Sequence, residues 1–203
     1  MSVSARMNIL SRGALAGAAC ADPAGKQRMN RFGDAPLFLV GPRACGKTTL
    51  ARELAARLGW SSTDTDQWLL ERTGSSVADL VSAEGWEGFR RREAEALRAV
   101  ARTRTVVATG GGMVLLPENR AFMRKSGPVL YLEAPAAVLC ERLRAAPETE
   151  QRPSLTGRGL LEEVDAILRE RAPLYRQTAH HIVRADQPLS SLVEAAARFL
   201  ELA

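Results

Sequence analysis

Residues 36–49 read PLFLVGPRACGKTT, and the reading of that stretch decides the fold. Leu37 to Val40 is an apolar run of strand length, consistent with a strand buried on both faces. The loop that follows, Gly41-Pro-Arg-Ala-Cys-Gly-Lys47-Thr48-Thr49, matches the phosphate-binding pattern G-x-x-x-x-G-K-[ST]. A helical period then runs from Lys47 to about Leu58. Between a strand and a helix, such a loop curls so that successive backbone N–H groups face a phosphate chain, with the positive end of the helix dipole behind them. Lys47 would then bridge the β- and γ-phosphates, and the Thr48 hydroxyl would ligate Mg²⁺. Ala44, Cys45, Gly46 and Thr49 complete the expected ATP cradle. A glycine-rich turn that merely precedes a lysine would lack these flanking elements.

Outward from the loop, short β-rich runs alternate with amphipathic stretches, the pattern of a parallel sheet covered by helices on both faces. Strands are expected at Leu37 to Val40, near Trp60 to Thr63, and at Thr105 to Ala108, Val129 to Leu132 and His181 to Arg184. Helices are expected at Lys47 to Leu58, Gln67 to Arg72, Val77 to Ala83, Glu87 to Arg102, Ala136 to Arg144, Leu161 to Arg171 and Leu189 to Leu200. Ala145 to Gly159 is rich in proline, glycine and charge, a composition suited to a mobile flap rather than a core element.

Composition bounds the alternatives. A chain of 203 residues is long enough for one well-packed domain and short for two. Its formal charge of +5 is spread among interleaved acidic residues, without the basic block or aromatic platform of a nucleic-acid binder. Cys20, Cys45 and Cys140 form an odd set with no CxxC pair, which points away from a disulfide framework and a zinc site and toward a reducing, cytoplasmic setting. No apolar run approaches membrane-spanning length. Met1 to Gly33 differs from the rest and lacks the continuous apolar core of a signal peptide. It reads either as a disordered extension, 1–33, or as the product of a mis-assigned start codon at Met1, ahead of Met29, with the catalytic domain spanning 34–203.

The loop identifies a nucleotide and leaves the phosphoryl acceptor open. Asp64-Thr-Asp66 follows the second expected strand, where alternation would point both carboxylates to the ligand-binding end of the sheet. One can hold hydrated Mg²⁺ and the other can take a proton from an acceptor hydroxyl; Asp66 alone reads equally well as a helix N-cap. Gly110-Gly-Gly112 ends the strand at Thr105 to Thr109 and would let a ligand approach bare N–H groups. Guanidinium forks bind carboxylates and phosphates at two points. This chain has many arginines, and residue type alone does not single out Arg90, Arg152 or Arg171.

The loop, Asp64-Thr-Asp-Gln-Trp68, Glu87-Gly-Phe-Arg90, Ala108-Thr-Gly-Gly-Gly112, Arg152-Pro-Ser-Leu-Thr-Gly157 and Arg171-Ala-Pro-Leu-Tyr175 occur in the order and spacing of shikimate kinases. The resemblance covers about Pro36 to Leu200 and is greatest to the second isoenzyme type of enteric bacteria. It implies a P-loop NTPase fold of the nucleoside-monophosphate-kinase type, with a five-stranded parallel sheet and a lid at about 144–159. It also implies a monomeric, cytoplasmic enzyme that uses ATP and Mg²⁺ to phosphorylate the 3-hydroxyl of shikimate, on the route through chorismate to the aromatic amino acids. Lys47, Asp66 and Arg152 would be catalytic. Asp66, Arg90, Gly111 and Arg171 would bind the substrate, Thr48 and Asp64 would organise the metal, and Arg142 and Arg152 would lie near the nucleotide. Glu93 would orient Arg90, and Trp86 would either border the pocket or pack in the core.

Two departures from the family pattern stand out. Ala44 takes the place of a second loop glycine, and Arg184 to Leu189 assigns no adenine contact. Among rivals, a nucleotide kinase would offer a second base an aromatic platform, and none is visible. A gluconate kinase would lack the arginine motifs, and a non-catalytic relative would be expected to lose Lys47, Asp66 or Arg152.

Overall fold

Strand β1 (Leu37–Val40) lies at the centre of the sheet, and its side chains alternate between two cores. Leu37 and Leu39 enter one apolar cluster with Leu50, Leu54, Leu139 and Leu192. Phe38 and Val40 enter a second with Leu97, Met113, Met123 and Tyr175. The computed structural model describes residues 32–145 and 159–202. The 1–33 extension, apart from its last two residues, lies outside the described residues, as does nearly all of the 144–159 lid, with Arg152.

The sheet has five parallel strands in the order β2-β3-β1-β4-β5, with β2 at Ser61–Asp64, β3 at Thr105–Ala108, β4 at Val129–Glu133 and β5 at His181–Arg184. Helices α1 (Lys47–Leu58), α2 (Thr65–Thr73), α3 (Val77–Val100), α4 (Pro117–Ser126), α5 (Ala136–Ala145), α6 (Leu160–Thr178) and α7 (Leu189–Leu202) connect and follow them. The order matters for the site. β3 pairs with β2 on one side and β1 on the other, so the loops leaving these three strands meet at one sheet edge.

Local chemistry explains most boundaries. α1 stops at Gly59, whose φ of 64° lets its N–H return to the carbonyls of Ala55 and Ala56. α3 begins with a reciprocal Ser76–Asp79 capping box, and this bond to Ser76 holds the Asp79 carboxyl below its ordinary value. The helices expected at Val77 to Ala83 and Glu87 to Arg102 are the two arms of α3, kinked at Gly85 with φ 68°.

Three expectations need correction. β2 begins at Ser61 and includes Asp64, one residue later than expected. α4 was not foreseen, although Pro117 at its start, Glu118 in its first turn and Arg124 and Lys125 in its last are ordinary helix signals. It buries Asn119 and Met123 alone, so no apolar stripe announces it. α6 runs past Pro173 to Thr178 instead of ending at Arg171. The interior proline costs about 3 kcal/mol; full burial of Tyr175, stacked on Tyr131 with ring centroids 5.1 Å apart, offsets it.

Candidate active site

The phosphate loop spans Gly41 to Gly46 between β1 and α1. Gly41 has φ 148°, and a Cβ there would lie 2.8 Å from the Leu132 carbonyl and 2.9 Å from Cys45 Sγ, so only glycine fits. Ala44 occupies the left-handed region with φ 62°, so this loop does hold a methyl group where glycine is the unstrained choice. Gly46, φ 95°, caps α1 without a side-chain bond. Lys47 Nζ donates to the carbonyls of Gly41 (3.0 Å) and Pro42 (2.7 Å) and lies 3.6 Å from Cys45 Sγ. Across the loop, Arg142 of α5 donates to the carbonyls of Ala44 (3.4 Å) and Ala185 (2.8 Å), joining the loop to the segment after β5.

At the end of β2, Asp64 does two jobs. Its Oδ2 accepts from Thr48 Oγ1 at 2.6 Å, and its Oδ1 accepts from the backbone N–H groups of Asp66 (2.9 Å) and Gln67 (3.4 Å). Asp64, rather than Asp66, is therefore the N-cap of α2. Asp66 sits in the first helical turn, so the two carboxylates are brought together by a strand-to-helix junction and not by strand alternation.

The glycine loop after β3 is held from several directions. Gly110 N–H donates to Thr65 Oγ1 at 2.8 Å, and a Cβ on Gly110 would lie 2.8 Å from both Asp66 Oδ1 and Glu93 Oε1. A Cβ on Gly112 would overlap the Arg90 guanidinium. A side chain at either glycine would displace the carboxylate or guanidinium groups that pack against the bare backbone. Arg90 pairs with the fully buried Glu93 and lies over the Trp86 ring at 5.3 Å. Arg171 of α6 is 8% exposed, and among the described residues its Nε has no hydrogen-bond acceptor, with the Glu170 carboxylate at 3.9 Å.

Two cavities meet here. The larger, about 700 Å³, is lined by Ala44 to Thr49, Asp64, Asp66 and Arg142. The smaller, about 120 Å³, is lined by Trp86, Arg90, Gly112 and Arg171. Arg43 and Gly111 line both. The sequence-derived substrate residues are thus divided, with Asp66 on the phosphate side, Arg90 and Arg171 beyond it, and Gly111 between. Trp86 is 39% exposed and borders the pocket.

Sequence reasoning missed Arg43 and Thr65. Arg43 stands at an unspecified position of the phosphate-loop pattern, and Thr65 lies between two more conspicuous aspartates. It also assigned nothing to Ala185, Gln187 and Leu189, which line the far end of the larger cavity. Uncharged residues there carry no motif.

A phosphate loop at the carboxyl edge of this sheet, with carboxylates beside it and a second, smaller cavity lined with guanidinium groups, defines the P-loop kinases of small molecules. Residues 43–201 match the shikimate kinase family, and the chain belongs to it. The chain is 58% identical over 158 residues to shikimate kinase 2 of Dickeya chrysanthemi, an alignment covering 78% of this chain and 91% of that one. A shikimate kinase of Acinetobacter baumannii, solved in complex with shikimate, superposes with a TM-score of 0.73 at 33% identity, covering 83% of this chain and 92% of that one. The shikimate kinase of Bacteroides thetaiotaomicron gives 0.76 at 34% identity, covering 82% and 98%.

Proposed function

We propose that this protein transfers the γ-phosphoryl group of ATP to the 3-hydroxyl of shikimate, giving shikimate 3-phosphate and ADP, on the route to chorismate and the aromatic amino acids. The observation that carries this reading is the junction of the two cavities at Gly111. A phosphate chain laid along the loop from Ala44 to Thr49 ends beside Asp66. A small carboxylate seated between Arg90 and Arg171 presents its ring hydroxyls to the same aspartate.

The chemistry follows from these positions. Arg90 is fixed by Glu93 and Trp86, so its fork is pre-oriented for a carboxylate, and Arg171 Nε supplies a second buried donor. Asp66 accepts the proton of the attacking hydroxyl as the oxygen reaches the γ-phosphorus in line. Lys47, released from the loop carbonyls to the phosphates, counters charge on the transferring group. Thr48 and Asp64 offer oxygen donors suited to Mg²⁺, which needs few protein ligands because the phosphates and water complete its shell. When bound there, Mg²⁺ would neutralise phosphate charge. The role that the resemblance gives to Arg152 belongs to the segment outside the described residues. No described helix is long and apolar enough to cross a membrane; we place the enzyme in the cytoplasm as a monomer.

The test is ADP release by the purified protein with ATP and Mg²⁺, comparing shikimate, gluconate and nucleoside monophosphates, with the product identified by mass spectrometry. Stimulation by shikimate alone, yielding shikimate 3-phosphate, is expected. Stimulation by gluconate or a nucleotide instead would overturn the reading and place Arg90 and Arg171 first in doubt.

A further inference from the structure

Tyr175 tethers the middle of the glycine loop from a distant part of the chain. Its hydroxyl donates to the Gly111 carbonyl at 2.6 Å, from a residue far along the chain on α6. The neighbouring glycines are tied locally: Gly110 N–H to Thr65 Oγ1 (2.8 Å), the Gly110 carbonyl to Met113 N–H (3.0 Å), and the Gly112 carbonyl to Leu115 N–H (3.0 Å). The Gly111 carbonyl is tied by Tyr175. Three consecutive glycines have no side chains to restrict φ and ψ, so the loop takes its shape from such bonds.

Tyr175 is itself well fixed. It is fully buried and stacked on Tyr131 of β4 at an interplanar angle of 26°. Burial pushes its phenol far above the ordinary value, the adjacent Arg171 guanidinium offsetting this only in part, so the hydroxyl keeps its proton and remains a donor. Arg171 lies one turn earlier on the same face of α6. One hydroxyl therefore stands beside the guanidinium that faces the smaller cavity and binds the glycine where the two cavities join.

We propose that Tyr175 is a positioning residue for the acceptor substrate: it fixes the Gly111 backbone relative to Arg171, so that both engage the substrate together. The inference rests on the shikimate-kinase reading above. Among the described residues the Tyr175 hydroxyl bonds Gly111 and makes no hydrogen bond to the phosphate loop, so its loss should weaken acceptor binding equally in ground and transition states.

The experiment compares Tyr175→Phe, which keeps the ring and removes the hydroxyl, with Thr178→Val. The latter removes another hydroxyl from α6, one that donates to the Leu174 carbonyl at 2.6 Å and does not touch the loop. Steady-state kinetics of both are measured well below their melting points. For Y175F the shikimate KM is expected to rise about tenfold, with kcat and the ATP KM within about twofold of the parent. T178V should leave the shikimate KM at the parental value. An unchanged shikimate KM in Y175F, a parallel rise in the ATP KM, or an equal effect of T178V would overturn the proposal. Should circular dichroism show Y175F unfolded, 3-fluorotyrosine at the chain's two tyrosines replaces it, strengthening donation without removing the hydroxyl. The shikimate KM should then fall, and an unchanged value would overturn the proposal. Absence of shikimate phosphorylation by the parent chain would instead sink the underlying functional reading, so the two failures are distinguishable.

Discussion

Thr48 Oγ1 donates to Asp64 Oδ2 at 2.6 Å, joining the first turn of α1 to the end of β2 across the parallel sheet. Because β3 separates β2 from β1, this bond spans one whole strand and fixes the distance between the phosphate loop and the carboxylates.

Replacing Asp64 by Asn preserves an N-cap oxygen for α2, since Asn caps as well as Asp, and removes the negative charge offered to Mg²⁺. The Mg²⁺ concentration for half-maximal velocity is expected to rise about tenfold, equivalent to ~1.4 kcal/mol, with the helical circular dichroism unchanged. Titrating MgCl₂ at fixed ATP measures it. An unaltered Mg²⁺ dependence would remove Asp64 from the metal site.

Arg90 needs two variants, because its partner is buried. Arg90→Leu takes away the cation that pairs with the fully buried Glu93 carboxylate, and breaking such a pair costs about 3–5 kcal/mol. That variant is expected to lose stability as well as shikimate affinity. Arg90→Lys keeps the charge but loses the two-point fork, so the shikimate KM should rise at least about tenfold, ~1.4 kcal/mol, with a smaller change in melting temperature. A shikimate KM unchanged in Arg90→Lys would place the carboxylate elsewhere.

Ala44 holds φ 62° in the phosphate loop, a conformation costing an L-residue roughly 1–2 kcal/mol. Ala44→Gly removes that strain at an unfolded-state cost of about 0.4–1 kcal/mol. The melting temperature is therefore expected to rise by up to about 4 °C. Differential scanning calorimetry without nucleotide would show it. A fall in melting temperature would mean that the methyl group contributes packing that outweighs the strain.

Tyr131 and Tyr175 are the chain's two tyrosines, and burial raises both, Tyr131 from 10.0 to about 12 and Tyr175 further. A group whose pKa is raised on folding binds its proton more tightly in the native state, so its contribution is complete below the unfolded value and lost as pH rises through the folded one. Stability to urea should hold up to pH 10 and decline between 10 and about 12. Absorbance at 295 nm should show little phenolate at pH 10 in the native protein and about half ionisation in urea. Ordinary titration of both phenols in the native state would contradict their burial.

Much of the fold was legible in the sequence because its signals are local. The strand at Leu37 to Val40, the loop glycines and the α1 period each follow from a few adjacent residues, and α1 and β1 have the expected bounds. α4 was illegible because a surface helix with little buried apolar area leaves almost no periodic trace. The reach of α6 past Pro173 was hidden for the opposite reason. A proline is a strong local stop, and the tyrosine stacking that overrides it involves a partner on another strand.

The site divides in the same way. Lys47, Thr48, Asp64, Asp66, Arg90, Gly111, Arg142 and Arg171 could all be named in advance, and all line the two cavities. For Lys47, Thr48, Asp64 and Asp66 residue type and spacing within a few positions carry the signal, whereas Arg90, Arg142 and Arg171 were named through the resemblance to the family. Which aspartate caps α2, how closely the Arg90 guanidinium lies over Gly112, and that Arg43 and Tyr175 reach Gly111's surroundings depended on parts of the chain far apart in sequence. The sequence alone determined most of the elements, the family and the phosphate loop, since each is encoded by neighbours along the backbone. The tertiary structure decided how those groups share hydrogen bonds and space, because strand order and helix packing set those distances and no local pattern records them.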